Sequence, residues 1–182
     1  FDIPDNIDVT PTNLEIEDKW ILQEFDSVLK KVLLAWQNID IYTASQCIKN
    51  FSTGLFPSHW LEMAKSRIYD NNISATWTLH RIVRDTLTIF SPICPFFTHY
   101  MSKEIYGISS ITIDSYPQLI NPKTEFDLTS LTISIMEFNS YVWKTKKESG
   151  ISLKSPISDI SIPENLMILK YPIQNMHNLV FN

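Results

Sequence analysis

Asn13-Leu-Glu-Ile-Glu-Asp-Lys-Trp-Ile-Leu-Gln-Glu-Phe-Asp-Ser-Val-Leu-Lys-Lys-Val-Leu-Leu-Ala-Trp-Gln-Asn38 decides the fold class. Ile21, Phe25, Val28, Val32 and Trp36 recur at steps of three and four. That is the period that brings apolar side chains onto one face of a helix. Thr12 and Glu15 stand before the first turn in Thr-x-x-Glu order, the pattern of a reciprocal capping box. Outward from this helix, a second is expected from Asp40, a good cap, to Phe51, before a break at Ser52-Thr53-Gly54. A third is expected over Pro57 to Tyr69, closed by the turn-forming Asp70-Asn71-Asn72. In the fourth and longest, Ala75, Leu79, Ile82, Val83, Thr86, Leu87 and Phe90 line one face; Pro92 and Pro95 kink it before it resumes to Tyr106 and Gly107.

Beyond Gly107 the pattern changes. Ile111-Thr-Ile113 alternates, and Tyr116-Pro117 and Asn121-Pro122 punctuate the chain, which sets a boundary near residue 118. Leu128, Leu131, Ile135, Phe138 and Val142 mark a fifth helix ending at Gly150, a residue suited to a left-handed position after a helix. The short runs Ile157 to Ile162 and Leu166 to Leu169 are expected as strands. The expected fold is therefore mainly α: a four-helix-type bundle over residues 1–118, followed by a small α/β appendage over residues 119–182.

Composition narrows the function. The chain has 182 residues, 44% apolar and 19% charged, enough to bury a core and too apolar for a disordered or coiled-coil chain. Gly54, Gly107 and Gly150 are its three glycines, so neither a dinucleotide fingerprint nor a P-loop is present. The uncharged run Thr86 to Ser102 contains two prolines and a histidine and is too short and polar for a bilayer span. The net charge of −5 argues against a general polyanion binder. It is unevenly spread, with eight acids and one base in residues 1–29 and fourteen bases against twelve acids in the rest. Cys47 and Cys94 sit among apolar neighbours without CxxC spacing and are expected as buried, reduced thiols of a cytoplasmic protein. The spacing of His59, His80, His99 and His177 fits no paired metal ligands, and no nucleophile, base and acid set follows from the sequence. The chain starts at Phe1 with no signal-peptide core, as expected of a piece cut from something longer.

Three groups of residues are candidates for binding. Trp77, Arg81 and Arg84 fall at i, i+4 and i+7 opposite the apolar stripe of the fourth helix, where a ring and two guanidiniums would share an exposed edge. Unpaired RNA bases stack on such surfaces, although an Arg–Asp network around Asp85 would give the same pattern. In the third helix Lys65-x-Arg67-x-Tyr69, with His59 and Trp60 upstream, either faces a phosphate backbone or supplies Arg67 as an ion-pair partner for Glu62 or the acidic first helix. Lys144, Lys146 and Lys147, followed by Lys154, form the densest basic cluster and read either as a phosphate contact or as a solvated face.

The order of these pieces resembles a known family. Asp18-Lys-Trp-Ile-Leu22, Ala35-Trp-Gln-Asn-Ile-Asp-Ile-Tyr42, Trp60-Leu-Glu-Met-Ala-Lys-Ser-Arg-Ile-Tyr69, Thr78-Leu79, Ser91-Pro-Ile-Cys-Pro-Phe96 and Glu104-Ile-Tyr-Gly107 are similar to the anticodon-binding helical bundle of class I aminoacyl-tRNA synthetases for valine, isoleucine and leucine. The similarity covers residues 14–117, with Tyr116-Pro117 where that family has Trp-Pro. Within the group, Trp60 to Tyr69 and Lys144 to Pro156 are most similar to the archaeal-type valine-specific members, with isoleucine-specific members next. Tyr100-Met-Ser-Lys-Glu104 resembles the Lys-Met-Ser-Lys-Ser catalytic loop but lacks its first lysine and last serine, and is read as coincidence.

The resemblance implies a parent enzyme that activates an amino acid with ATP and esterifies tRNA, while this fragment, without cofactor or catalytic residues of its own, reads the anticodon and braces the stem. The implied partners are tRNA and the catalytic domain of the same polypeptide, with no membrane. The implied tRNA contacts are Trp60, Lys65, Arg67, Trp77, Arg81, Arg84, Lys144, Lys146 and Lys147. The rival expectation is a helical protein-interaction module in which the acidic segment 1–29 docks a basic partner and Trp20, Trp36 and Trp60 are anchors.

Overall fold

A computed structural model describes residues 2–111 and 115–181. Among the described residues seven α-helices follow one another: α1 (Ile16–Gln37), α2 (Ile41–Asn50), α3 (Leu61–Tyr69), α4 (Ile73–Phe90), α5 (Pro95–Tyr106), α6 (Thr132–Glu148) and α7 (Lys170–His177). Short 3₁₀ turns, Leu128–Leu131 and Glu164–Leu169, lead into α6 and α7. Helix α1 is the spine. Trp20, Ile21, Phe25, Leu29 and Val32 are wholly buried along it and form one apolar cluster with residues of α2, α3, α4, α6 and α7.

The caps explain where the helices turn. Asp40 accepts from the Thr43 backbone N–H at 3.0 Å and starts α2. Asn72 does the same for Ala75 and starts α4, so the chain reverses at both places within a few residues. The capping box before α1 does not form: Glu15 is the N-cap without a side-chain cap, and its backbone N–H instead donates to Ser74 Oγ from α4. Tertiary contact has displaced the local motif. Gly107 (φ 67°) ends α5 and Gly150 (φ 67°) follows α6, both in the left-handed region where the missing Cβ relieves strain.

The expected break at Ser52-Thr53-Gly54 is absent. Residues Phe51–Trp60 wind as a π-helix that joins α2 to α3 without interruption, through Gly54 and Pro57. Its i→i+5 bonding carries residues five apart to the same side. Phe51 and Phe56, five apart, accordingly stack at 5.7 Å; Phe56 also stacks on Trp60, four residues on, at 5.1 Å, and Phe25 of α1 closes the ladder on Phe51 at 5.3 Å.

The expected α/β appendage is corrected to an all-helical one among the described residues. Ile157 makes a single isolated bridge with Leu179, and Leu166 to Leu169 belong to the 3₁₀ turn before α7. Thr112 and Ile113 of the alternating Ile111–Ile113 run lie outside the described residues. The segment leading to α6 is strung along α1 by hydrogen bonds. The Asp26 carboxylate accepts from the backbone N–H groups of Ile120 (2.9 Å) and Asn121 (2.7 Å), Gln23 binds Thr124 and the Leu128 N–H, and Trp20 Nε1 donates to Thr132 Oγ1.

Candidate nucleic-acid interface

The third-helix candidates meet inside the bundle. Asp18, on α1, is fully buried and accepts from both terminal guanidinium nitrogens of Arg67, at 2.8 and 2.9 Å, the Trp60 indole N–H at 2.9 Å and the Ser74 hydroxyl at 2.5 Å. Glu17 lies 2.7 Å from the same guanidinium, and burial, partly offset by Arg67, pushes its carboxyl up to about 7. Of the two readings of Arg67, the structure thus realises the ion pair with the acidic first helix. Trp60 is wholly buried and is not a surface ring. Of this group Lys65 and Tyr69 face solvent, Lys65 paired with Glu62 at 3.2 Å where both are half exposed.

The expected exposed edge on α4 is not formed. Trp77 is 1% exposed, and its Nε1 donates to the Ile7 carbonyl at 3.0 Å, because the amino-terminal segment folds back over this face. Arg81 is buried and holds Asp85 through Nε at 2.6 Å and the Gln118 carbonyl through Nη2 at 3.3 Å. Arg84 reaches Asp85 at 3.4 Å and the exposed Asp8 at 2.8 Å. Burial raises the Asp85 carboxyl, and the two arginines beside it pull it back. Both arginines do line one groove of about 320 Å³ with Tyr116, Pro117 and Gln118, but two carboxylates share it, so the groove offers little net positive charge.

The lysine cluster on α6 separates into two roles. Lys146 points inward, fully buried, and donates to the backbone carbonyls of Leu153 (2.8 Å), Ser155 (2.7 Å) and His177 (2.6 Å). It is a clamp on the segment that follows α6 and not a phosphate contact; desolvation lowers its pKa. Lys144, whose side chain is 72% exposed, touches Glu148 only at 3.8 Å, and Lys147 carries no ion pair among the described residues. These two lysines, with Trp143, Ile151, Ser152 and Leu153, line an open groove of about 630 Å³.

Trp143 was not among the expected contacts. Its ring is backed by His59 of the π-helix at 5.6 Å and by His177 of α7 at 5.8 Å, which fixes its position in the groove lining. The two histidines are joined through Asn139: Asn139 Nδ2 lies 2.9 Å from His59 Nδ1, and His177 Nε2 lies 2.7 Å from Asn139 Oδ1. An aromatic residue directly before a lysine cluster is the sequence signal that could have drawn attention to it.

Other expectations resolve simply. Tyr100 to Glu104 lies within α5, where Ser102 is buried, so this stretch is not a mobile catalytic loop. Cys47 and Cys94 are free and half-buried, where full burial was expected. Among the described residues no cluster of potential metal ligands forms and no helix is long and apolar enough to cross a membrane.

Residues 18–162 match the family model of the anticodon-binding domain of tRNA ligases. The chain is 30% identical over 149 residues to the valine–tRNA ligase of Saccharolobus solfataricus, covering 81% of this chain and 18% of that protein. It is 29% identical over 167 residues to the valine–tRNA ligase of Nanoarchaeum equitans, covering 92% of this chain and 22% of the other. To the isoleucine–tRNA ligase of Picrophilus torridus it is 25% identical over 176 residues, 90% of this chain and 17% of that protein. The chain spans about a fifth of the length of these relatives.

Proposed function

We propose, because the chain belongs to the anticodon-binding domain family of tRNA ligases, that it binds a tRNA at the anticodon arm on behalf of a class I valine–tRNA ligase. The observation that carries this reading is the family match across residues 18–162. Valine is favoured by the identity to valine-specific relatives, and the isoleucine-specific relative defines the second reading. The activation of the amino acid with ATP and the esterification of tRNA belong, in this proposal, to a catalytic domain of the same enzyme.

The bundle of residues 1–118 would carry anticodon discrimination, and residues 119–182 would brace the stem. Lys65, Arg84, Lys144 and Lys147 are the proposed direct tRNA contacts, since each presents at least part of its cation to solvent. Trp60, Arg67, Trp77, Arg81 and Lys146 would serve by holding the helices and the loop after α6 in register.

Filter binding of this chain to tRNAs that differ only at the anticodon tests the proposal. Tighter binding of a valine-type tRNA than of its anticodon-swapped and isoleucine-type counterparts is the expected result. Uniform weak binding overturns it, and preference for the isoleucine type replaces valine by isoleucine. Lys147→Ala should lower the slope of log affinity against log salt by about 0.7–0.9 while leaving the anticodon preference unchanged; an altered preference with an unchanged slope would move Lys147 from backbone contact to base reading.

A further inference from the structure

We propose that the groove on α6 is a stacking site for one unpaired nucleotide of the bound tRNA, with Trp143 as the ring on which the base lies; the inference rests on the tRNA reading above. The groove has the three parts such a site needs. Its lining includes an indole braced by His59 and His177, so the ring is already oriented before a ligand arrives. Its near rim carries Lys144 and Lys147, one residue and four residues after Trp143 on the same helix, and Lys154 follows the far wall. That far wall, Ile151, Ser152 and Leu153, is held in place from below by Lys146, which bonds the Leu153 and Ser155 carbonyls.

Aromatic faces flanked by cations are how proteins hold single-stranded nucleic acid: every base has a π-face to stack, and the lysines meet the phosphates on either side. The opening of about 630 Å³ lies within the range of small-ligand sites and admits a base with its sugar. Charge selects the occupant. The only acid close along the helix, Glu148, sits 3.8 Å from Lys144, and Lys147 is left to meet an anion. A duplex cannot use the site, because its bases are already stacked on one another. Lys146 is here a positioning residue that sets the distance between ring and far wall.

The test uses the whole chain, an anticodon stem-loop RNA and a blunt duplex of the stem sequence. Loss of the ring in Trp143→Leu should weaken stem-loop binding by about 5- to 150-fold and duplex binding by less than about twofold. Trp143→Phe keeps a stacking face and should stay within about threefold of the unmodified chain. Stem-loop binding should quench tryptophan emission in the unmodified chain and not in Trp143→Phe, because Trp20, Trp60 and Trp77 are buried and Trp36, partly buried on α1, does not line the groove. If Trp143→Leu fails to fold, the quench comparison with Trp143→Phe decides alone. A quench that persists in Trp143→Phe, equal losses on stem-loop and duplex, or equal competition by a poly-glutamate peptide overturns the stacking site. If the unmodified chain binds tRNA normally and the variants match it, only this inference falls; if the unmodified chain binds no RNA, the proposed function falls and takes this inference with it.

Discussion

Replacing His177 by Gln probes the buried polar chain beneath the lysine groove. His177 is 1% exposed at the end of α7, with Nε2 2.7 Å from Asn139 Oδ1. An amide oxygen only accepts, so Nε2 carries the proton; Asn139 then donates from Nδ2 to His59 Nδ1, so the accepting His59 ring is neutral, and the neutral state of His177 follows from its burial. Burial, with lesser contributions from the Lys146 ammonium and from His59, pushes the His177 pKa down from 6.5 to about 4. At 1.36 kcal/mol per unit, this gap corresponds to about 3 kcal/mol. The folded pKa lies below the unfolded one, so in the interval between them the unfolded chain holds the extra proton. The contribution is therefore fully present above pH 6.5 and is lost as pH falls toward about 4. Urea unfolding of the unmodified chain and His177→Gln, from about pH 7.5 to about pH 4, gives a difference in stability at each pH. That difference should be constant above about pH 6.5 and then move against the unmodified chain by about 1.4 kcal/mol per pH unit. A difference that stays flat within about 0.5 kcal/mol, or moves the other way, refutes the neutral-ring assignment.

Glu17→Gln should show the opposite slope. Its folded pKa of about 7 lies above the ordinary 4.5, so its contribution is present below pH 4.5 and is lost as pH rises through about 7. The same unfolding series should find the unmodified chain losing about 3 kcal/mol relative to Glu17→Gln by about pH 8, and a pH-independent difference would remove burial as the cause. Asp18→Ala leaves Arg67, Trp60 and Ser74 without their common acceptor and should cost about 3–5 kcal/mol in the same assay at neutral pH. A loss under about 1 kcal/mol would mean that water replaces the carboxylate and that the node is not closed.

Much of the helical order was legible because an apolar face leaves a periodic trace. Ile21, Phe25, Val28, Val32 and Trp36 located α1, and Asp40, the turn at residues 70–72 and Gly107 located boundaries close to those observed. The π-helix was hidden because Gly54 and Pro57 carry the local signal of a break, while the Phe25, Phe51, Phe56 and Trp60 ladder that overrides it is a tertiary effect. Ile157 to Leu169 misled for a related reason: short alternating apolar runs fit a half-buried strand, and nothing local says that no neighbouring strand exists to pair with. Trp77 and Arg81 lie off the apolar stripe of α4, a position that reads as solvent-facing only while the helix is taken alone. The amino-terminal segment covers it, with Ile7 accepting from the indole and Asp8 meeting Arg84, and such long-range covering leaves no periodic mark. Lys146 is the sharpest case. Its neighbours Lys144 and Lys147 face out as expected of a basic run, yet a shift of one or two positions along a helix turns a cation from water to three backbone carbonyls.

The wide-wound stretch between α2 and α3 fixes rotational phase as well as path. Each residue of this wide winding turns the chain by somewhat less than the ~100° of an α-helix, so excising one residue between Phe51 and Trp60 with the winding kept would swing everything downstream around the axis. Arg67 would then face away from Asp18, and His59 away from Asn139. Residue count in this stretch is consequently as constrained as residue identity, and homologous chains that keep both pairings should tolerate substitutions there far better than gaps.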